Sequence, residues 1–206
     1  MGKLPSIDIW GIFLNKTILA LVAASSMAGS CWASEWSPFL GGGLTGGGDK
    51  VTRVNYVNGE TQTLHAGGLV DLRAGLDFRL QGSDISLQGV IAYHTDRSNA
   101  DNGSADFTRI PVEFLVLWHP DERWSVGGGV RKATSVKYNG SGAGTQFGPD
   151  QSYKSSVGLI LEGEYAITPK VGLKARYVNE DYTLQDATKV KRDGSHIGVL
   201  AVYYFR

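Results

Sequence analysis

The sequence is expected to fold as an all-β domain, closed into one eight-stranded antiparallel up-and-down barrel that crosses a membrane. Three observations carry this expectation. From Leu64 to Leu80 every even position is apolar or glycine, while the odd positions include His65, Asp71, Arg73, Asp77 and Arg79. A period of two marks a strand with one apolar and one polar face. Eight such segments succeed one another along the chain, joined by connections that alternate long and short, as in an even barrel with tight turns at one end and loops at the other. Glycine makes up 28 of 206 residues, about twice its usual share of 7%, which helices tolerate poorly and crowded barrel walls can use.

The first 33 residues read as an export signal. Lys3 and Lys16 precede an apolar run from Thr17 to Ala28, and Cys31-Trp32-Ala33 places small residues three and one positions before a cut ahead of Ser34. The run is too short to span a bilayer, which takes about 20 residues. The domain is then expected over residues 34–206. It would hold no cysteine, since Cys31 is the only one in the chain, which suits an oxidising periplasm. The alternative is acylation of Cys31, but Ala28-Gly29-Ser30-Cys31 lacks the Leu that a lipoprotein box carries three positions before its cysteine. Lys plus Arg and Asp plus Glu both number 20, so there is no basic field to favour nucleic acid.

The segments follow in order. The first runs from Trp36 to about Thr45, with faces obscured by glycine, and a polar segment from Gly46 to Gln62 comes after it. The second is Leu64 to Leu80; a two-residue turn at Gly82-Ser83 would set Phe78 opposite Leu87 and Asp77 opposite Gln88. The third, Ile85 to His94, precedes a loop from Thr95 to Asp106. The fourth, Phe107 to His119, alternates Ile110, Val112, Phe114, Val116 and Trp118 against Arg109, Glu113 and His119, and stops at Pro120-Asp121-Glu122. The fifth starts at Trp124 and gives way to a long loop, Ser135 to Ser152, that should be removable without loss of folding. The sixth, Ser155 to Ala166, and the seventh, from Val171, flank a tight turn at Thr168-Pro169-Lys170. A charged loop, Gln185 to Gly194, leads to the eighth, in which Ile197, Val199, Ala201, Tyr203 and Phe205 share one face.

Alternation does not say which face is inside, and a soluble barrel would bury the apolar one. Three features place lipid outside. Trp118, Trp124 and Tyr165 gather beside the short turns, and with Tyr203 and Phe205 they would form an aromatic girdle. Three-residue loops at Asp121–Arg123 and Thr168–Lys170 would set Glu113 opposite Arg131, Glu164 opposite Lys174 and Glu162 opposite Arg176, close enough to pair. With Arg73 these residues form the expected polar network of the lumen. An Arg on the lipid face near mid-depth costs about 2 to 4 kcal/mol, so turning Arg73, Arg131 and Arg176 outward would cost about 6 to 12 kcal/mol, as much as a whole domain's stability. The third feature is the ending Val202-Tyr203-Tyr204-Phe205-Arg206. It resembles the C-terminal strand of bacterial outer-membrane barrels, apart from the terminal Arg206.

Over Trp36 to Arg206 the chain resembles the small eight-stranded OmpA/OmpX-type barrels. That resemblance implies outer-membrane lipid, lipopolysaccharide and the barrel assembly machinery as partners, and a location in the outer membrane of a Gram-negative cell. No catalytic, cofactor or metal site is expected. Glu162 and Glu164 share a face, as an acid–base pair could, but Lys174 and Arg176 would neutralise them. His65, His94, His119 and His196 lie on separate segments without metal spacing. Lipid A deacylases carry a His-x-Ser pair near the outer rim, whereas here Asp96 follows His94 at the serine position. The glycines from Gly41 to Gly48, with Asp49-Lys50 after them, lack phosphate-loop spacing. Lys189, Lys191 and Arg192 could meet lipopolysaccharide phosphates. The expected role is a non-enzymatic surface protein with a plugged lumen, structural or binding through its loops; a narrow solute channel and a lipid A-modifying enzyme are the alternatives.

Overall fold

The structure is a computed structural model that describes residues 35–55, 61–100, 103–142, 150–186 and 188–206. The expected export signal and Cys31 lie outside the described residues. Among the described residues thirteen strands are present: β1 (Glu35–Gly47), β2 (Lys50–Asn55), β3 (Thr61–His65), β4 (Leu69–Arg79), β5 (Ile85–Ala100), β6 (Gly103–Trp118), β7 (Trp124–Gly142), β8 (Gln151–Ser155), β9 (Gly158–Thr168), β10 (Val171–Asn179), β11 (Asp181–Leu184), β12 (Lys191–Asp193) and β13 (His196–Tyr204). Eight of them, β1, β4, β5, β6, β7, β9, β10 and β13, pair in that order, each antiparallel to the next. The ring closes where β1 meets β13, from Phe39↔Tyr204 to Gly47↔His196. The protein is a closed eight-stranded antiparallel barrel.

The end with the tight turns is the lower one. At the upper end β8, β11 and β12 continue the wall beyond β7, and β2 and β3 form a separate two-stranded sheet. The polar segments read from sequence as loops are therefore largely strand. β5 runs on to Ala100 and β6 starts at Gly103, while β7 reaches Gly142 and β8 resumes at Gln151. Ser135 to Ser152 is thus not a removable loop, since Val136 and Tyr138 point inward into an apolar cluster. Polar side chains on the outer wall above a membrane face water, so they carry no hydrophobic alternation for a sequence reader to see.

The stretch Leu64 to Leu80 also differs from the expectation of one strand. β3 ends at His65 and β4 begins at Leu69, and the even positions change sides across the break. Leu64 and Ala66 are fully buried, whereas Leu72 is 54% and Leu76 47% exposed. Ala66, Gly67 and Gly68 leave the ladder to fold over the mouth, and both Arg109 guanidinium nitrogens Nη1 and Nη2 donate to the carbonyls of Ala66 and Gly68. Gly67 is needed for this close approach: a Cβ there would stand 2.6 Å from the His196 Cβ and 2.8 Å from the Gly47 carbonyl oxygen.

The registers pair Phe78 with Leu87, Asp77 with Gln88, Glu113 with Arg131, Glu164 with Lys174 and Glu162 with Arg176. Two turns reach these registers by other routes. The Leu80 amide donates to the Ile85 carbonyl and the Ser83 amide to the Leu80 carbonyl, which makes a four-residue loop, Gln81–Asp84. Gly82, with φ +69°, takes the third position of the turn Leu80–Ser83 rather than opening a two-residue turn; both loops share one centre, so the register is the same. At the second, Val171 pairs with Thr168 across Pro169-Lys170, and a bulge between Val171 and Gly172 restores the frame.

Inward-facing glycines make room for large lumen groups. At Gly75 an added Cβ would lie 2.5 Å from Cζ of Phe39 and 2.6 Å from the Gly89 carbonyl oxygen. Gly75→Val is therefore expected to overpack the wall and lose about 1 to 3 kcal/mol, read as a lower unfolding temperature on a heat-modifiability gel.

Candidate functional site

The strand alternation brings charged side chains from five walls into one buried network. Glu113 on β6 is its hub: Arg176 reaches it at 2.9 Å, Arg131 at 3.3 Å and Arg73 at 3.6 Å. Arg73 also binds Asp71 at 2.7 Å, and Arg176 lies 3.7 Å from Glu162. Lys174 sits between Glu162 at 2.5 Å and Glu164 at 3.3 Å, and donates to Gln88 at 3.0 Å. Below it, Gln88 donates to Asp77 at 2.9 Å and the Tyr204 hydroxyl donates to Glu164 at 2.7 Å. Arg73, Glu113, Arg131, Glu162, Glu164, Lys174 and Arg176, the seven residues singled out from sequence, are all buried. Ions out of water persist only when paired and hydrogen-bonded, and each of these has at least one opposite charge within reach.

Several members of this network were not singled out from sequence. Asp71, Asp77 and Gln88 lie on inward positions and could have been found by the same period of two. Glu180 stands between β10 and β11, where the chain steps out of the ladder, and no alternation marks it. It takes Arg131 at 3.3 Å and accepts from the Tyr182 hydroxyl. Tyr182 lies above the apolar belt, and burial above all pushes its phenol well over the usual range, which keeps it a donor to that carboxylate.

Above the ions the lumen changes character. Leu64, Ala66, Ala105, Phe107, Ala133, Val136, Tyr138, Tyr153 and Tyr182 form a contiguous apolar cluster, flanked by Val51 and Leu184. Hairpin β2–β3 contributes Val51, Leu64 and, just after it, Ala66, so it lies across the upper mouth. Phe107 meets Tyr153 and Tyr182 edge to face, with centroids 5.6 and 5.8 Å apart. At the lower mouth a cavity of about 40 Å³, lined by Asp77, His119, Glu164, Tyr204 and Arg206 among others, has room for only a few waters.

The outer surface is the reverse of the lumen. Leu40, Leu44, Leu72, Ile91, Phe114, Val130, Leu159, Leu161, Ile197 and Val199 are all exposed. Of the aromatic residues expected beside the turns, Trp118, Trp124, Tyr203 and Phe205 are exposed, and Tyr165 packs against Trp124 with ring centroids 4.9 Å apart and planes tilted by 53°. Trp36 and Phe78, 4.6 Å apart, extend this band. Ions sheltered within and aliphatic side chains facing out decide the class. The fold is that of a small eight-stranded outer-membrane barrel.

No family model and no curated protein matches the chain. Among solved structures it is similar to Ail, the attachment invasion locus protein of Yersinia pestis, in complex with the heparin analogue sucrose octasulfate, at 17% identity and a TM-score of 0.47, over 84% of this chain and 100% of that one. It is also similar to Neisserial surface protein A, at 12% identity and a TM-score of 0.49 over the same shares. A third likeness is to OmpT of Vibrio cholerae, at 18% identity and a TM-score of 0.28, covering 84% of this barrel and 56% of that chain.

The histidines were expected apart on four segments, but the structure brings two of the four together. His94 is buried, with Nε2 2.6 Å from the Thr45 hydroxyl and its ring 5.0 Å from that of His196. His119 meets the Ser86 hydroxyl at 2.9 Å near the lower turns. His65 lies half-buried at the end of β3. Among the described residues no group of three or more His, Cys, Asp or Glu could hold a metal ion.

Proposed function

We propose that the protein is a non-enzymatic barrel of a bacterial outer membrane, with a lumen closed to solutes and an upper head that makes contacts at the cell surface. The observation that carries this reading is the pair of fillings in series, ions below and aromatic side chains above. Along β9 the outward apolar run extends from Val157, one residue before the strand, to Ile167; ten steps of extended chain measure about 33 Å, or about 25 Å across a membrane at a 40° tilt. That height suits the apolar band of outer-membrane barrels, about 25 Å.

Outer-membrane lipid is the medium this surface requires. Lipopolysaccharide is a fitting neighbour for the exposed Lys189 and Lys191 above the belt; Arg192 is half-buried and faces Tyr182 across the ladder. The assembly machinery would read the closing strand with its lipid-facing Tyr203 and Phe205. A lipid A-modifying role is less well supported, because His94 is turned into the interior with Thr45 on its Nε2.

Planar-bilayer recordings of the purified barrel test the reading against a narrow channel. No stepwise conductance is expected from the wild type. Discrete openings in most insertions would make the protein a channel and overturn the closed lumen.

A further inference from the structure

Two histidines meet against the segment that closes the upper mouth. His94 on β5 and His196 at the start of β13 are both buried, with ring centroids 5.0 Å apart. Each stands one residue above the last outward apolar side chain of its strand, Tyr93 and Ile197. The strap Ala66–Gly68 lies on His196: a Cβ added to Gly67 would come within 2.6 Å of the His196 Cβ. Ala66 of the strap and Leu64 of hairpin β2–β3 pack into the cluster of Phe107, Tyr153 and Tyr182.

Hydrogen bonding fixes the proton on His196. Its Nδ1 lies 2.8 Å from the Gly194 carbonyl oxygen, which can only accept, so Nδ1 carries the hydrogen and Nε2 the lone pair. That lone pair faces Nη1 of Arg131 at 3.5 Å. A further proton has only Nε2 to enter, where two N–H groups and two positive charges would then oppose each other. His94 is no better placed to charge. Its Nε2 is taken by Thr45 at 2.6 Å, its Nδ1 is buried with no hydrogen-bond partner among the described residues, and Arg109 stands opposite it in the ladder.

The carboxylates that could offset such charge are engaged elsewhere. Asp71, opposite His94 on β4, binds Arg73 at 2.7 Å. Glu113 holds Arg131 and Arg176, Glu180 holds Arg131 and Tyr182, and Asp96 accepts from the His65 amide. Both rings therefore sit neutral among cations from β6, β7 and β10.

We propose that His94 and His196 form a proton-sensitive latch: when the outside medium turns acid both rings charge, the strap lifts with hairpin β2–β3, and the recess of Phe107, Tyr153 and Tyr182 opens to water. The ion network below keeps its pairs, so the lumen stays closed to solutes. The latch takes the upper head to face the outside, as proposed above, but its response to acid does not depend on that. Below the ordinary imidazole pKa of about 6.5, each pH unit favours the lifted arrangement about tenfold for each ring that is neutral under the strap and charged without it. At pH 5 the two rings together favour lifting about a thousandfold more than at pH 7.5.

Hydrogen exchange of the wild-type barrel in vesicles, read by mass spectrometry and corrected for the intrinsic rate at each pH, tests the latch. The Ala66 and Gly67 amides donate to the Asp49 and Gly47 carbonyls. Their protection should fall by up to about a thousandfold between pH 7.5 and 5, while amides of β10 keep theirs. Glutamine at both positions, His94→Gln with His196→Gln, can still donate and accept but takes no proton, and should remove the fall; heat modifiability checks that this variant is folded. Wild-type protection that is unchanged at pH 5, or that falls only below about pH 4.5 where carboxylates titrate, overturns the proposal without any variant. So does a fall that survives in the double variant, or one that β10 shares, which would mean that acid unfolds the whole barrel.

Discussion

With glutamine in place of Glu113, the barrel is expected to lose about 3 to 5 kcal/mol of stability, the usual result of stripping one partner from a buried ionic cluster. Glutamine keeps the shape but leaves Arg73, Arg131 and Arg176, all within 3.6 Å of this carboxylate, facing a neutral amide. Urea unfolding from vesicles measures the change as a lower midpoint at unchanged slope. Adding Arg176→Met to Glu113→Gln should return part of the loss, because two groups in contact do not contribute independently. A loss below about 1 kcal/mol for Glu113→Gln would mean that the ions in the lumen do not act as one network.

Leu161→Arg is expected to cost about 2 to 4 kcal/mol in a bilayer. Leu161 is 62% exposed and stands midway along the outward run of β9, so arginine there would put its charge among acyl chains. On a water-facing wall the same change would fall within about 0.5 kcal/mol of neutral. The two settings differ by more than the error of a two-state unfolding experiment, so this one variant reports what surrounds the barrel. An unchanged unfolding midpoint in vesicles would count against the lipid-facing assignment.

Much of the barrel could be read in the sequence because two simple periods govern it. Side chains repeat every two residues, and tight hairpins fix the sum of paired positions, which is how Glu162 and Arg176 could be set opposite each other before any coordinates. The contacts that count most were not legible in the same way. The 2.9 Å pair of Arg176 with Glu113 joins β10 to β6, strands that are not neighbours in the ring, and only the width of the lumen and the reach of a guanidinium decide it. The break at Ala66–Gly68 was hidden for a different reason. Leu64 and Leu72 fall in one unbroken alternation, yet one helps cover the mouth and the other faces outward. Apolar letters look alike whether they seek lipid or other side chains. Glu180 escaped because it sits at a step between two ladders, outside any repeat.

The meeting of β1 with β13 has a consequence for biogenesis. Phe39 finds Tyr204 only after nearly all of the polypeptide between them has been laid down, a long-range contact of the kind that slows folding. Until then β1 presents a bare row of amides and carbonyls, which invites mispairing with other chains. The hazardous interval in this protein's life is the wait for its last strand, and an escort that shields that row would matter most during it.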